Sequence, residues 1–340
     1  MRIGLDVGGT KTDAVAVAED GTVAARVRRP TAWGPEGVVD TIVGAVVALG
    51  ELPGLAPFVS VGIGMPGQAV PGTTVVAHAL NLGIDELDVA RAVGPRLALP
   101  VRVENDVKAA AVGAHALDGG RRDLAYLNLG TGVAAGLITD GRLWRGRRGT
   151  AGEVGHVSID PQGPVCRCGA RGCIEALAGG AAVAARWGRN VPLPVRDVFD
   201  AADAADPLAI RLREDLARAV AAAVRLLVLT ADVDAVVLGG GVTALGERLL
   251  TDVRASLDAG AATSVFLRSL RLSERVELLP VGSSAAALGA AIVGGLADLA
   301  RGNEGVEVGA AAVAVGCEGV AVGAESEGVV VGAEEERHHG

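Results

Sequence analysis

The chain of 340 residues has almost no aromatic side chains: three Trp, one Tyr and three Phe. Half of its residues are apolar, so its core has to be Ala, Val and Leu packed closely. Lysine is nearly missing as well, since only Lys11 and Lys108 stand among 31 basic residues. Long apolar runs are missing too. The longest stretch free of Asp, Glu, Lys and Arg, Leu52–Ile84, is broken by Pro53, Pro57, Pro66 and Pro71, which excludes a spanning helix there. Asp6 falls where a signal peptide needs its apolar region, so the expected location is cytoplasmic. There is no basic stripe either. The net charge is −9, and residues 301–340 hold eight Glu against Arg301 and Arg337. A near-neutral body with an acidic tail speaks against nucleic acid or a membrane surface as partner.

What the sequence does have in quantity is glycine, 50 residues without a collagen period. The even spread of aliphatics argues against overall disorder. The length suggests about two domains. Of four cysteines, Cys166, Cys168 and Cys173 crowd together while Cys317 lies alone in the tail. In a chain without export signals, such crowding points to a metal more than to disulfides.

Short strands are expected at 1–7, 12–18 and 22–28, with Asp20-Gly21 as a hairpin turn. A helix over 37–50, a buried strand over 58–64, a helix over 87–97, a strand over 101–103 and an Ala-rich helix over 105–117 follow. A second series opens with strands at 124–129, 133–139 and 142–144, again with an Asp-Gly turn at 140–141. Strand, Gly-Thr loop and strand thus occur twice, an internal duplication. Helices are expected around 175–186, 206–229, 245–257 and 283–299, and strands at 235–238 and 276–279. Beyond Ala300, Glu-Gly-Val-rich near-copies at 304–310, 318–324 and 327–333 read as a mostly disordered acidic tail.

Asp6-Val-Gly8-Gly9-Thr10-Lys11 joins two strands. Its glycines let backbone N–H groups face a phosphate, Thr10 adds a hydroxyl, and Asp6 suits Mg²⁺ held through water. Gly130-Thr131-Gly132 is the matching loop of the second series, and the pair fits opposite sides of a nucleotide. Gly239-Gly240-Gly241, after an apolar strand, suits close approach of an adenosine. Glu104-Asn105-Asp106 sits where a strand opens a helix. Asp106 there suits accepting a proton from an alcohol, while Asn105 or Asp106 suits capping the helix, and the two roles are compatible. Lys108 reads as solvated or phosphate-facing. His156, Cys166, Cys168 and Cys173 supply one nitrogen and three thiolates, the set a closed structural Zn²⁺ prefers. Such a metal would fix the loop holding Glu153, His156 and Glu175, whose polar groups suit several hydroxyls. Asn81 is a further candidate for the same task.

These residues resemble the ROK kinases (repressor, open reading frame, kinase) of the actin-like sugar kinase superfamily. The matching stretches are LDVGGTKTD (5–13), GIGMPG (62–67), NLG (81–83), ENDVKAA (104–110), LGTG (129–132), GTAGEVGH (149–156), CRCGARGCIE (166–175) and VVLGGG (236–241). The resemblance spans about residues 1–300 in the family's order. It implies an α/β, actin-like (ribonuclease H-like) duplicated two-lobe fold with an interlobe cleft. The first lobe would be 1–118 with a helix at about 283–300 packing back on it, the second 119–282, and the tail 301–340. It implies ATP- and Mg²⁺-dependent phosphorylation of a hexose hydroxyl, usually O6, on glucose or an N-acetylhexosamine, by a dimer or tetramer. Asp106 then resembles the catalytic base; Asn81, Asn105, Glu153, His156 and Glu175 resemble sugar ligands. Gly8, Gly9, Thr10, Thr131 and Gly132 resemble the phosphate loops, Gly239–Gly241 the adenosine contact, and His156 with the three cysteines the zinc site. The chain departs from the family at Lys108, at Ala134-Ala135, at Gly83 after Asn81-Leu82, and at Ala114. A sugar-responsive transcriptional repressor is the rival reading within the same family. It would carry a helix-turn-helix ahead of the first strand, where this sequence has Met1 followed at once by Ile3–Val7. A non-catalytic sugar-binding protein is the third reading, against which Asp106 and both loops speak.

Overall fold

The computed structural model describes residues 1–295 apart from Ala56 and Val281, and the backbone of three short strands beyond them. The chain divides into two units, Met1–Arg121 with Gly141–Thr150 and Ser284–Gly340, and Arg122–Asp140 with Ala151–Ser283.

In the first unit β1 (Arg2–Val7), β2 (Lys11–Val17) and β3 (Val23–Pro30) form an antiparallel meander, followed by α1 (Gly34–Gly50) and β4 (Ser60–Met65). Next come β5 (Gln68–Ala69), β6 (Val75–Ala79) and β7 (Ile84–Asp88), a small antiparallel sheet of their own. Then α2 (Val89–Leu97), β8 (Val101–Asn105) and α3 (Asp106–Leu117) close the series. β4 lies parallel between β1 and β8. Pro in the first turn of α1 suits the helix start, and Val38, Ile42, Val46 and Leu49 then recur on one face and are buried. The helix expected over 87–97 is shorter, because Asp88 caps it by accepting from Arg91 N at 3.2 Å. The residues ahead of Asp88 pair with β6 instead.

Asp13 on β2 is buried between two arginines of β3. Arg28 Nε and Nη2 donate to its two oxygens at 2.7 and 2.9 Å, and Arg26 Nε donates at 3.2 Å. Burial alone would raise this carboxyl, but hydrogen bonding and ion pairing with Arg28 and Arg26 outweigh it and hold the pKa below its ordinary value. The stability this gives is present above the unfolded carboxylate pKa of about 3.9 and is lost as pH falls through the lower folded value. Asp13→Asn is therefore expected to cost on the order of 2 kcal/mol at pH 7. Denaturant titration from pH 7 down to pH 2 should show the gap to the parent chain closing only at the acid end.

The second unit starts with β9 (Leu124–Leu129) and β10 (Val133–Thr139), an antiparallel pair. At Asp140-Gly141 both residues have positive φ, 52° and 70°, as a type I′ hairpin turn requires, and the chain returns as β11 (Arg142–Trp144). There follow α4 (Ile174–Ala178), α5 (Gly180–Trp187), α6 (Pro194–Asp203), α7 (Pro207–Ala231), β12 (Ala235–Gly239), α8 (Glu247–Ala261), α9 (Val265–Ser269) and β13 (Val276–Leu278). β12 pairs in parallel with both β9 and β13. The sequence suggests one helix over 175–186; the structure breaks it at Gly179, where a Cβ would lie 2.8 Å from the Glu175 carbonyl oxygen. Leu216, Val220, Val224 and Leu227 of α7 pack with Phe199, Leu249 and Val253 in one buried cluster.

α10 (Ala285–Gly294) returns to the first unit and lies against β1, β4 and α3 at backbone distance. A Cβ on Gly62 would lie 1.7 Å from the Ala290 carbonyl oxygen, one on Gly113 1.8 Å from that of Ala285, and one on Gly4 1.9 Å from that of Ala287. Gly289 fits the reverse way, 1.8 Å from the Ala109 carbonyl oxygen. Gly62→Ala must push the helix off the sheet, and a loss of about 3 kcal/mol in thermal or denaturant unfolding is expected.

No helix among the described residues is long and apolar enough to cross a membrane. In the tail the backbone of Val329–Gly332 pairs with β3 and with Gly319–Val322, and Val306–Glu307 is a third strand. The remaining tail residues, Cys317 among them, lie outside the described residues, so the expectation of disorder there falls outside them too.

Candidate functional site

The turn between β1 and β2 is closed by Gly8 N donating to the Lys11 carbonyl at 2.9 Å, which leaves Gly9, Thr10 and Lys11 exposed. Asn81 is brought to this loop. Its carbonyl oxygen would lie 3.1 Å from a Cβ on Gly9, and its short 3₁₀ turn, Leu80–Leu82, is ended by Gly83 at φ 69°. Behind the loop, the Asp6 carboxyl is pushed up to about 7 by burial and by the nearby carboxylates of Asp106 and Asp13, against the pull of Lys11 and Arg26. Carboxylates crowded in this way favour a cation.

Asp106 is the first residue of α3. Asn105 is the N-cap, its Oδ1 accepting from Lys108 N at 3.1 Å. Asn105 Nδ2 donates to the Gly67 carbonyl at 3.1 Å and to Asp106 Oδ1 at 3.0 Å, and Val107 N donates to the same oxygen at 2.9 Å. Asn105 does the capping, and the Asp106 carboxylate is steered from two sides. Glu104, missed as a site residue by the sequence reading, is buried: its Oε1 accepts from Asn105 N at 3.0 Å and its Oε2 from Arg145 Nε at 2.6 Å. Lys108 is not solvated but buried, because nearly the whole of α3 from Val107 to Ala116 is covered.

In the second unit Gly130 N donates to the Gly132 carbonyl at 3.1 Å. The carbonyls of Gly130 and Thr131 accept from Gly180 N and Ala181 N at 2.9 and 3.1 Å, which fixes the loop on the start of α5. Glu175 is engaged on this loop as well: its Oε2 accepts from Val133 N at 3.0 Å and would lie 2.4 Å from a Cβ on Gly132. That position is one the hydroxyl-ligand reading does not anticipate. Gly239 lies against Tyr126, Gly240 has φ 90°, and Gly241 faces open space.

Gly152 and Gly155 seat the Glu153 loop on β10, each with a Cβ position 1.9 Å from a carbonyl oxygen, of Ala135 and Val133 respectively. Both Glu153 and His156 are exposed. A hairpin then carries the cysteines, with Cys166 N donating to the Ala170 carbonyl at 2.7 Å and Gly169 N to the Cys166 carbonyl at 2.9 Å. His156, Cys166, Cys168 and Cys173 present ligand atoms all within 4.8 Å of one another. His156 Nδ1 is 3.9 Å from Cys166 Sγ, and Cys168 Sγ is 3.7 Å from Cys173 Sγ. Zn–S bonds of about 2.3 Å in a tetrahedron separate their sulfurs by roughly 3.8 Å, so the donor set fits that ion. Burial and the neighbouring thiols push the Cys173 thiol up to about 12, while hydrogen bonds, first from the Ala170 backbone, bring Cys168 down to about 7. Three thiols this close need a cation before all can ionise.

The family model described as ROK family matches residues 2–294. The chain belongs to the ROK family. This ROK chain is similar to a glucokinase of Streptomyces coelicolor, with 34% identity over 279 residues that cover 75% of this chain and 86% of that protein. It is also similar to an N-acetylmannosamine kinase of Citrobacter koseri, with 36% identity over 255 residues, 74% of this chain and 87% of that one. Among solved structures it resembles a ROK family glucokinase from Streptomyces griseus in complex with glucose and AMPPNP. The TM-score there is 0.72 and the identity 31%, covering 86% of this chain and 98% of that chain. The ROK chain accordingly has the mixed α/β, actin-like, duplicated two-lobe fold.

Proposed function

We propose that this chain is an ATP-dependent hexose kinase that transfers the γ-phosphoryl group of ATP to O6 of glucose or of an N-acetylhexosamine. The observation that carries the reading is Asp106, a carboxylate at the opening of α3 steered by Asn105 Nδ2 and Val107 N and near enough to Asp6, at the foot of the Gly8–Lys11 loop, to raise its pKa. Asp106 accepts the hydroxyl proton as the oxygen attacks phosphorus, and the loops hold the phosphates in line; catalysis here is chiefly positioning and charge stabilisation. Asp6 would hold Mg²⁺, which when bound neutralises phosphate charge.

Asp6, the Gly8–Lys11 loop, Asn81, Asn105 and Asp106 lie in the first unit, and the Gly130–Gly132 loop, Gly239–Gly241, Glu153, His156 and Glu175 lie in the second. Asn81, Asn105 and Glu153 bind hydroxyls in this reading. His156 turns Nδ1 toward the cysteines, and with Zn²⁺ held there its Nε2–H is left to donate to a sugar oxygen. Glu175 orders the second loop by accepting from Val133 N and lies beside the phosphates it cradles. A zinc ion with four protein ligands has no open position and serves the loop, not the reaction.

The test is ADP release with Mg²⁺-ATP across a panel of hexoses and N-acetylhexosamines. Turnover on glucose or an N-acetylhexosamine is expected, and none on any sugar refutes the reading. Light scattering of the same sample checks for the dimer or tetramer that goes with it.

A further inference from the structure

Arg145 sits in the stretch Gly141–Thr150, which lies in the first unit although its neighbours in sequence on both sides lie in the second. It meets Glu104, the last residue before the Asn105-Asp106 turn. The Glu104 carboxylate is divided between two partners, Oε1 taking Asn105 N and Oε2 taking Arg145 Nε. The peptide that leads into the base is thereby joined to a cation 41 residues further along the chain. The same stretch is tied a second time, since Gln68 Nε2 donates to the Arg148 carbonyl at 3.0 Å. A Cβ on Gly149 would lie 3.1 Å from the Ala69 carbonyl oxygen. The loop so gripped is the one whose Gly67 carbonyl accepts from Asn105 Nδ2. One attachment of the stretch thus ends on Glu104, directly before the turn that carries Asp106, and the other on Gln68 and Ala69, directly after the Gly67 carbonyl that Asn105 holds.

Here a single Nε bond is made, and Arg145 Nη2 is buried with no hydrogen-bond partner among the described residues. A buried charged pair with a donor left dry costs more than an apolar filling of similar volume. What the arrangement gives in return is a fixed place for Asn105 N. We propose that Arg145 is a positioning residue for the phosphoryl-transfer base, acting through Glu104 on the Asn105-Asp106 turn. The inference rests on the hexose-kinase reading, with Asp106 as base.

The test compares the parent chain with Arg145→Met, Arg145→Lys and the double variant Glu104→Gln with Arg145→Met. In Arg145→Met a buried carboxylate is left unpaired and the turn shifts. A misplaced catalytic group costs about 10²-fold in rate, so kcat should fall by that order while KM for ATP stays within about threefold. Arg145→Lys, which keeps the cation, should recover most of kcat. The double variant, with neither charge and an amide oxygen still facing Asn105 N, should fall by only about tenfold. Amide hydrogen exchange in the peptide 103–108 should quicken about tenfold in Arg145→Met, a readout independent of turnover. If Arg145→Met fails to fold, the double variant takes its place. Parent-like kcat in whichever of the two folds, or exchange unchanged from the parent chain, overturns the proposal, and so does a lower Tm with kcat intact. Failure of the kinase reading itself would show in a different sample, as absence of turnover in the unsubstituted chain.

Discussion

Asp106→Asn is expected to lower kcat by about 10³- to 10⁴-fold while the Kd for the sugar, read by calorimetry without ATP, stays within about threefold. The substitution preserves shape. An amide oxygen in place of Oδ1 still accepts from Val107 N and from Asn105 Nδ2, so both hydrogen bonds that steer this oxygen are kept. What is lost is the ability to take a proton from an attacking hydroxyl. Because the cap of α3 is Asn105, the helix start survives and the fall in kcat is free of a folding defect. Turnover near that of the parent chain would remove Asp106 from the mechanism.

Loss of the metal set should be the second large effect. Metal analysis of the purified chain is expected to find about one zinc per chain and none in Cys173→Ser. Structural zinc contributes roughly 10–16 kcal/mol of apparent binding energy in small peptides, and that energy goes into folding the loop that holds it. Cys173 is wholly buried, and burial with two thiols beside it holds its proton strongly in the metal-free chain. Without the ion, His156 loses its anchor and the run from Gly152 to Cys173 loosens. Sugar affinity should fall about 10²-fold, in line with the loss on mutating groups that orient a site. Full affinity and turnover in protein shown to be zinc-free would refute the structural role.

The parts legible in the sequence were those in which one local stretch carries the whole message. Gly8-Gly9-Thr10, Asn105-Asp106 and the Cys166–Cys173 run each announce a turn, a cap or a cluster of thiols within ten residues. The parts that stayed hidden depend on partners far along the chain. Glu104 looks like one more strand-end carboxylate until Arg145 is placed on it. Glu175 looks like a free hydrogen-bonding group until Val133 N is found pointing at it. Lys108 has the appearance of a surface cation, yet α10 and the sheet cover α3 so completely that it is buried. The β5–β6–β7 sheet was missed for a different reason: its strands are short and Asp88 made their end look like the start of a helix. Glycine count alone did not separate turn glycines from packing ones. Gly4, Gly62, Gly113 and Gly289 have no special dihedral to betray them and are needed only because another backbone passes against them.

The return of α10 to the first unit has a consequence for synthesis. Residues 122–283 leave the ribosome before it, so apart from the Gly141–Thr150 excursion the second unit has its whole chain available while the first still lacks its last helix. Until Ala285–Gly294 emerges, the backbone of β1, β4 and α3 at Gly4, Gly62 and Gly113 stands uncovered, with no side chains to shield it. A chain ended at residue 283 and released from the ribosome should therefore hold a folded second half and a protease-sensitive first half, which becomes resistant once the final helix has been added.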